Sequence, residues 1–162
     1  MHPVLIAKLL VLLSIANGMP VLIKRAFRER FSHPLDLGAR FMDGRRVFGP
    51  SKTIRGALAS LMFTTAAAPL LGLEPIIGAL TGSMAVIGDL LSSFLKRRLD
   101  FAPSSQAIDL DQIPEALCPM LVCALLLPLS ALDVILVVAA FSVAVIVFSP
   151  VLHRVGLRDR PF

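Results

Sequence analysis

Three side chains suited to binding ions and phosphate groups share one face of a predicted helix. Asp89, Ser93 and Lys96 fall within roughly 60° of one another at about 100° per residue, and they present an acid, a hydroxyl and a base. Asp89 lies inside a long apolar run, where an ionisable side chain is costly and is a functional hypothesis by default. Carboxylates can hold a hard divalent cation, and neighbouring cations can neutralise phosphate oxygens. This face therefore predicts a metal–nucleotide site.

A polar stretch directly after this face adds further charged groups. The apolar run ends in Lys96-Arg97-Arg98, and the next acids along the chain are Asp100, Asp109 and Asp111. Carboxylates and cations are thus predicted to cluster at the end of the helix that carries Asp89.

A second cationic stretch, residues 43–56, runs directly into another apolar segment. Thr53 or Ser51 could cap the incoming helix, whose N-terminal dipole favours an anion. Lys52 and Arg55 would then lie where a phosphate group binds. The alternative is that this basic loop only sets membrane topology and holds anionic lipid headgroups.

The composition is that of a membrane protein. The chain has 162 residues, of which 56% are hydrophobic and 17% are charged, whereas a soluble domain averages about 45–50% apolar and about 25% charged residues. We predict an all-α fold, a polytopic integral membrane protein with about five transmembrane helices in a single domain, 1–162. The predicted spans are 3–23, 56–73, 75–95, 116–131 and 134–152.

The basic residues predict the orientation of these spans. The 24–55 loop, the 96–115 loop and the C-terminal tail hold nine, three and three of the sixteen Lys and Arg residues, and the remaining one is Lys8. Cytoplasmic loops of membrane proteins carry an excess of Lys and Arg. We therefore predict that the N-terminus is outside and that both polar loops face the cytoplasm.

Two patterns within the apolar runs bear on helix packing. Asn17-Gly18-Met19-Pro20 is expected to bend or break the first span, and a broken span would help to line a polar cavity. Gly78-x-x-x-Gly82 lets helix backbones approach closely and is compatible with a homodimer, although the pattern is common.

Several motifs, taken together and in order, resemble the CDP-archaeol synthase family, which is similar in turn to the bacterial and eukaryotic CDP-diacylglycerol synthases. The motifs are Asn17-x-x-Pro20, Pro34-Leu35-Asp36-Leu37-Gly38, Asp43-Gly44-Arg45-Arg46-x-x-Gly49-x-x-Lys52-Thr53-x-Arg55-Gly56, Gly88-Asp89-Leu90-x-x-Ser93-x-x-Lys96-Arg97-Arg98 and Leu110-Asp111-Gln112. The resemblance covers about residues 15–115.

The resemblance implies a Mg²⁺-dependent cytidylyltransferase of phospholipid biosynthesis. CTP and a membrane lipid phosphate, either an isoprenoid ether or a diacyl glycerol phosphate, would yield a CDP-lipid and pyrophosphate. The enzyme would reside in the lipid bilayer of the cell membrane with its active face in the cytoplasm, and we predict no nucleic-acid partner.

The resemblance also implies roles for individual residues. Asp89 and Asp111 match the metal-binding acids and, with Lys96, the catalytic residues. The residues implied to bind substrate are Asp43, Lys52, Thr53, Arg55, Gly56, Ser93, Arg97 and Gln112. This chain departs from the pattern at Pro114, where the family commonly has a further acid, and Asp109 and Glu115 are the two candidates to supply it.

Two other functions are weighed against this one. A CDP-alcohol phosphotransferase would need an Asp-Gly-x-x-Ala-Arg opening, which residues 43–48 do not have. A small transporter or lipid-binding membrane subunit could use Asp89 as a cation site, and it would move its substrate without consuming CTP.

Overall fold

Five helices make up the regular structure of the described part of the chain. The structure is a computed structural model, and it describes residues 1–28, 30–101 and 108–154, with side chains described except at 108–111 and 150–154. The helices are α1 (Pro3–Phe27), α2 (Ile54–Leu70), α3 (Pro75–Arg98), α4 (Ile108–Cys123) and α5 (Ala131–Arg154). The only β-type pairings among these residues are two isolated bridges, Pro34 with Thr53 and Arg40 with Arg46. The predicted all-α fold is confirmed.

Three of the five helices are long and apolar enough to cross a membrane. They are α1, α3 and the Ala131–Ser149 part of α5, whereas α2 and the Gln112–Cys123 part of α4 are shorter apolar helices. Five helices are found in the described residues, but about five transmembrane helices were predicted and three of the five have the length and hydropathy of a membrane span.

The fourth helix differs most from the predicted spans. It covers Ile108–Cys123, whereas the apolar run suggested 116–131. Acidic residues are favourable in the first turns of a helix, so the polar 108–115 segment belongs to α4 instead of to a loop. Pro128 disfavours the helical conformation just before it, and the chain turns over residues 124–127.

Helix α1 continues through the stretch that was expected to bend or break it. Pro20 lies inside the helix, and the side-chain amide of Asn17 donates to the carbonyl oxygen of Leu13 at 3.2 Å. The expectation of a broken span was wrong, although this stretch does line a cavity, as described below.

The predicted close approach of helices at Gly78 and Gly82 occurs within the chain. A Cβ atom on Gly78 would lie 2.2 Å from the carbonyl oxygen of Thr64, and one on Gly82 would lie 2.2 Å from Oγ1 of Thr64. Both glycines therefore pack α3 against α2, which accounts for the motif without a homodimer. The apolar core beside this contact joins all five helices through residues such as Leu9, Ala68, Ile77, Met120 and Phe141.

Candidate active site

A cavity of about 670 Å³ lies between the helices and the loop that joins α1 to α2. Its lining is apolar on one part, with Ala16, Pro20 and Val21 of α1 and Val145 of α5. The remaining lining is rich in polar and charged groups, which come from Asn17, Lys24, Ser32, Ser51, Lys52, Thr53, Arg55, Ser60, Asp89, Gln112 and Glu115. A molecule with both an apolar and an anionic part would find complementary surfaces here.

Lys52 and Asp89 form an ion pair inside this cavity. The Nζ atom of Lys52 lies 2.5 Å from Oδ1 of Asp89, and the two side chains are 23% and 30% exposed. A carboxylate within an apolar helix is costly unless a counter-charge compensates it. The pair therefore explains how α3 carries Asp89 and leaves the carboxylate accessible from the cavity.

The N-terminus of α2 presents its first turn to the same cavity. Thr53 is the N-cap residue, and its Oγ1 accepts a hydrogen bond from the backbone N–H of Gly56 at 3.3 Å. Of the two predicted caps, Thr53 is thus confirmed. Arg55, in this first turn, donates to the carbonyl oxygen of Arg28 at 2.6 Å and to that of Arg30. Positive charge and the helix dipole coincide here, which favours an anion.

Asp36 organises the loop that carries Lys52. Its carboxylate accepts backbone N–H bonds from Gly38 at 3.0 Å, Phe48 at 3.2 Å and Gly49 at 2.9 Å. Burial raises the pKa of Asp36, but these hydrogen bonds and the charge of Arg46 outweigh it, so the pKa lies below the ordinary value of 3.8. The stabilisation from the ionised carboxylate is therefore present above that value and is lost as the pH falls through the lowered pKa.

Two further backbone hydrogen bonds hold the strand-like segments of this loop together. The N–H of Leu35 donates to the carbonyl oxygen of Lys52 at 2.7 Å, and the N–H of Ile54 donates to that of His33 at 3.1 Å. Pro34 and Thr53 form the antiparallel bridge between them. The backbone of Lys52 is thereby fixed just before α2 begins.

A charged clamp fastens the loop to the C-terminal end of α3. Arg98 pairs with Asp43 at 2.6 Å, and Arg45 pairs with Asp100 at 2.9 Å. Arg45 also donates to the carbonyl oxygens of Arg97 and Arg98, each at 3.1 Å. The clamp brings the two predicted polar loops to one end of the helix bundle, as expected if both face the same side of a membrane.

Gly88 sets the approach of α4 to the site. A Cβ atom on Gly88 would lie 2.2 Å from the carbonyl oxygen of Pro114, so only glycine allows this packing. The close contact brings Gln112 and Glu115 of α4 to the cavity that Asp89 lines. Pro114, where the expected acid is missing, is thus a packing residue, and Glu115 beside it lines the cavity.

The structure brings six of the predicted site residues to the cavity: Lys52, Thr53, Arg55, Gly56, Asp89 and Gln112. Ser93 and Lys96 are buried in α3, with 2% and 6% exposure, and they are not among the lining residues. The side chains of Asp109 and Asp111 lie outside the described ones.

Two other predicted residues lie between the loop and α3 and are not among the lining residues. Asp43 belongs to the clamp, and Arg97 lies close to Gly49, where a Cβ atom would be 3.9 Å from the Arg97 Nε. Both residues therefore contact the interface between the loop and α3.

Asn17 lines the cavity, as its stretch of α1 was expected to. Sequence reasoning gave no site role to three further residues: Lys24 and Ser60 line the cavity, and Asp36 organises the loop. Asp36 had a signal, since it is a polar residue in one of the quoted motifs. Lys24 and Ser60 had none, because nothing local distinguishes them from other basic or helix-packing residues.

The carboxylates that line the cavity fit a magnesium ion that takes its other ligands from the phosphates of a nucleotide and from water. Asp89 and Glu115 offer carboxylates, and the Lys52 ammonium already compensates the charge of Asp89 at 2.5 Å. The residues with described side chains contain no cluster of three or more His, Cys, Asp or Glu that could hold a metal. Mg²⁺ is commonly bound by one or two carboxylates together with substrate phosphates and water, so a complete protein cage is not required.

Comparison with known protein families gives a match along almost the whole chain. A family description that reads "CarS-like: CDP-archaeol synthase" matches residues 6–78 and 71–162. The CDP-archaeol synthase of Pyrobaculum calidifontis is 38% identical over 149 residues, which cover 86% of this chain and 81% of that protein. The CDP-archaeol synthase of Thermofilum pendens is 31% identical over 161 residues, which cover 91% and 76%.

A solved structure shares the fold. It is described as an intramembrane enzyme for archaeal membrane lipids biosynthesis, and it superposes with a TM-score of 0.73 at 30% sequence identity. The match covers 85% of this chain and 87% of that one. With the apolar helices described above, the similarity supports an integral membrane protein.

Proposed function

Because the chain belongs to the CDP-archaeol synthase family, we propose that it transfers the cytidylyl group of CTP to a membrane lipid phosphate, with Mg²⁺. The products are a CDP-lipid and pyrophosphate. The proposed acceptor class is a glycerol phosphate that carries isoprenoid ether or diacyl chains. The site would face the cytoplasm of the cell membrane, since 15 of the 16 Lys and Arg residues lie in the segments on that predicted side.

The observation that carries this proposal is the Lys52–Asp89 pair inside a partly apolar cavity. A membrane lipid phosphate and a nucleotide differ in solubility, so an enzyme that joins them needs a site open to both phases. The apolar lining from α1 and α5 suits the glycerolipid, and the cationic loop suits the triphosphate. Lys24, Lys52 and Arg55 supply the positive charge among the lining residues.

The reaction needs little acid–base chemistry from the protein. An oxygen of the lipid phosphate attacks the α-phosphorus of CTP and forms a new phosphorus–oxygen bond. The bond from the α-phosphorus to the oxygen that bridges to the β-phosphate breaks, and pyrophosphate departs with that electron pair. The nucleophile is already an anion, so the main obstacle is repulsion between two anions. Lysine and arginine side chains reduce that repulsion and stabilise the charge on the leaving group.

The remaining proposed residues orient the nucleotide and compensate its negative charge. Gln112 lies on α4 beside Asp89 in the cavity and offers an amide to the nucleotide. Lys96 and Arg97 add positive charge from the end of α3, on the helix that carries Asp89. Ser93 lies on the same face of α3 as Asp89 and Lys96, and its hydroxyl is proposed to hold these two side chains in place.

Asp89, Asp111 and Glu115 are the carboxylates proposed to hold Mg²⁺. When bound, the ion would withdraw negative charge from the phosphate oxygens and so favour the departure of pyrophosphate. We propose Glu115 in place of the acid expected at Pro114 because its side chain lines the cavity with Asp89.

Lys52 is proposed to have two partners in the catalytic cycle. In the resting protein its ammonium compensates Asp89 at 2.5 Å. When nucleotide enters, Lys52 releases Asp89 and binds a phosphate oxygen. The carboxylate thus becomes available as a cation ligand at the moment when the triphosphate arrives.

The proposal is tested with purified protein, radiolabelled CTP and a panel of lipid phosphates. The panel contains diacyl and isoprenoid ether glycerol phosphates, each with and without Mg²⁺. We expect label in a chloroform-soluble product only when Mg²⁺ and a lipid phosphate are both present. Absence of labelled lipid with every acceptor, from protein that is folded and monodisperse, would rule the proposed function out.

A further inference from the structure

Asp36 is a buried carboxylate in the loop between α1 and α2. It is 7% exposed and is not among the residues that line the cavity. Its three hydrogen bonds all come from backbone N–H groups of its own loop, those of Gly38, Phe48 and Gly49. A carboxylate bound in this way is held as an anion and fixes the backbone around it.

Two of these donors adopt backbone conformations that favour glycine. Gly38 has a φ of +86° and Gly49 has a φ of +96°, both in the left-handed region where a side chain is strained. The turn that wraps around Asp36 therefore needs a particular residue at three positions. Such a combination indicates that the conformation of this loop matters, and not only its charge.

The loop so fixed carries Lys52 towards Asp89. Only two residues separate Gly49 from Lys52, and Leu35, next to Asp36, donates to the carbonyl oxygen of Lys52 at 2.7 Å. The N–H of Ile54 donates to the carbonyl oxygen of His33 at 3.1 Å, and Pro34 forms an antiparallel bridge with Thr53. These pairings hold the Lys52 backbone against the segment that leads into Asp36, so the position of Lys52 is linked to the turn that Asp36 fixes.

We infer that Asp36 is a positioning residue, which places Lys52 for its contacts with Asp89 and with the triphosphate of the nucleotide. This inference rests on the proposed function for the identity of the nucleotide. The link from Asp36 through its neighbour Leu35 to the Lys52 backbone rests on the geometry of the loop alone.

A double-mutant comparison tests this role. Asp36→Asn keeps the shape of the side chain but removes its charge and turns one acceptor into a donor. We expect the KM for CTP to rise by about tenfold, as is typical when a partner behind a binding residue is removed. We expect the KM for the lipid phosphate to change by less than about twofold. In a Lys52→Ala background, the same substitution should add less than about twofold, because its effect passes through Lys52.

Two further variants separate an effect on the Asp36 turn from a general loss of folding or stability. Gly49→Ala disturbs the same turn from its other side and should reproduce the rise in KM for CTP. Asp133→Asn is the matched control: Asp133 is a buried carboxylate that also accepts backbone N–H bonds, from Ser130 at 3.0 Å and His2 at 3.3 Å, but it lies outside the loop that carries Lys52. It should leave the KM for CTP unchanged.

The outcomes separate this inference from the proposed function. Wild-type protein that makes CDP-lipid, while Asp36→Asn has the same KM for CTP, overturns the inference alone. The inference is also overturned if Asp36→Asn raises the KM for CTP by the same factor in the wild-type and the Lys52→Ala backgrounds. An equal rise in the KM for CTP in Asp133→Asn would overturn it as well. Hydrogen exchange at residues 47–53 gives a readout that needs no turnover. Faster exchange there in Asp36→Asn is expected, and unchanged exchange would contradict the role.

Discussion

At the scale of single residues, the Lys52–Asp89 pair is the feature on which the chemistry depends. An acid inside an apolar helix is tolerated when a cation compensates it, and the structure has an ammonium group 2.5 Å away. Lysine is a flexible point charge with three rotatable donors, so it can change partners more readily than a bidentate arginine. That chemistry is consistent with a Lys52 ammonium that leaves the Asp89 carboxylate and binds a phosphate oxygen of the nucleotide.

The exchange predicts opposite effects of one substitution on two ligands. Lys52→Met removes the ammonium that competes with a divalent cation for Asp89. We expect Mn²⁺, as a paramagnetic substitute for Mg²⁺, to bind about tenfold more tightly in the absence of CTP, a common size for coupling between two binding events. We expect CTP to bind more weakly. Electron paramagnetic resonance of free Mn²⁺ measures the first effect and calorimetry the second.

The control for this prediction is Lys8→Met. Lys8 lies near Gly72 in the turn between α2 and α3, where a Cβ atom on Gly72 would be 3.4 Å from the Lys8 Nζ, and it does not line the main cavity. Its removal should change neither affinity. Unchanged or weaker Mn²⁺ binding in Lys52→Met would refute the exchange.

Glu115 provides a second test at this scale. It lines the cavity and directly follows Pro114, the position at which the resemblance in the sequence led us to expect an acid. Glu115→Gln should shift the Mg²⁺ concentration that gives half-maximal activity upward by about tenfold, since a missing ligand weakens metal binding. Glu74→Gln, an acid in the turn before α3, is the control and should have the wild-type magnesium dependence. The wild-type magnesium dependence in Glu115→Gln would contradict the role of Glu115 as a ligand and would leave Asp109 as the candidate to replace the acid expected at position 114.

At the scale of helices, glycines determine how closely α3 packs on its neighbours. Gly78 and Gly82 pack it against α2, and Gly88 packs it against α4. Because Gly88 directly precedes Asp89, its contact with Pro114 sets the distance between the acid of α3 and the side chains of α4. Packing and chemistry are therefore coupled at this position.

Alanine at position 88 should damage both stability and activity. Its Cβ atom would lie 2.2 Å from the Pro114 carbonyl oxygen, a backbone atom that cannot move aside cheaply. Overpacking of this kind costs about 1–3 kcal/mol, and we expect a lower Tm in detergent and a loss of CDP-lipid formation. Gly18→Ala in α1 is the control, since nothing lies within 4 Å of its Cβ position. A Gly88→Ala variant with the Tm and activity of Gly18→Ala would contradict the role of this contact.

At the scale of the whole molecule, the secondary structure could be predicted from the sequence, whereas the tertiary contacts could not. The all-α fold, the cap at Thr53 and the proximity of Lys52 and Arg55 to one cavity follow from apolar runs, capping chemistry and helix polarity. The start of α4 was misplaced because its first turns are polar. The clamp between Arg98 and Asp43 joins residues that are distant in the chain, so no local pattern indicated it. Asp36 stood in a quoted motif, but the backbone N–H groups of Phe48 and Gly49 that its carboxylate binds depend on how the loop folds back, which the motif did not show.

The arrangement of the bundle also predicts which ends face the cytoplasm. The clamp brings the first loop to the C-terminal end of α3, and the positive residues lie in these segments. With Cys118 and Cys123 replaced by alanine, we expect Ser51→Cys to react with an impermeant maleimide only after cells are opened. Glu74→Cys should react in intact cells. The reverse pattern would invert the predicted topology.

The most direct test of the account is pyrophosphate release from CTP by Asp89→Asn beside wild-type protein, with Mg²⁺ and a lipid phosphate present and Asp133→Asn as the control. Asparagine keeps the size of the side chain but removes the charge that pairs with Lys52 and that is proposed to hold the cation. We predict a loss of at least about a hundredfold, at the upper end of what removal of a metal-site partner causes, with the control near wild type. Release by Asp89→Asn at the wild-type rate would contradict the assignment of this cavity as the site of cytidylyl transfer.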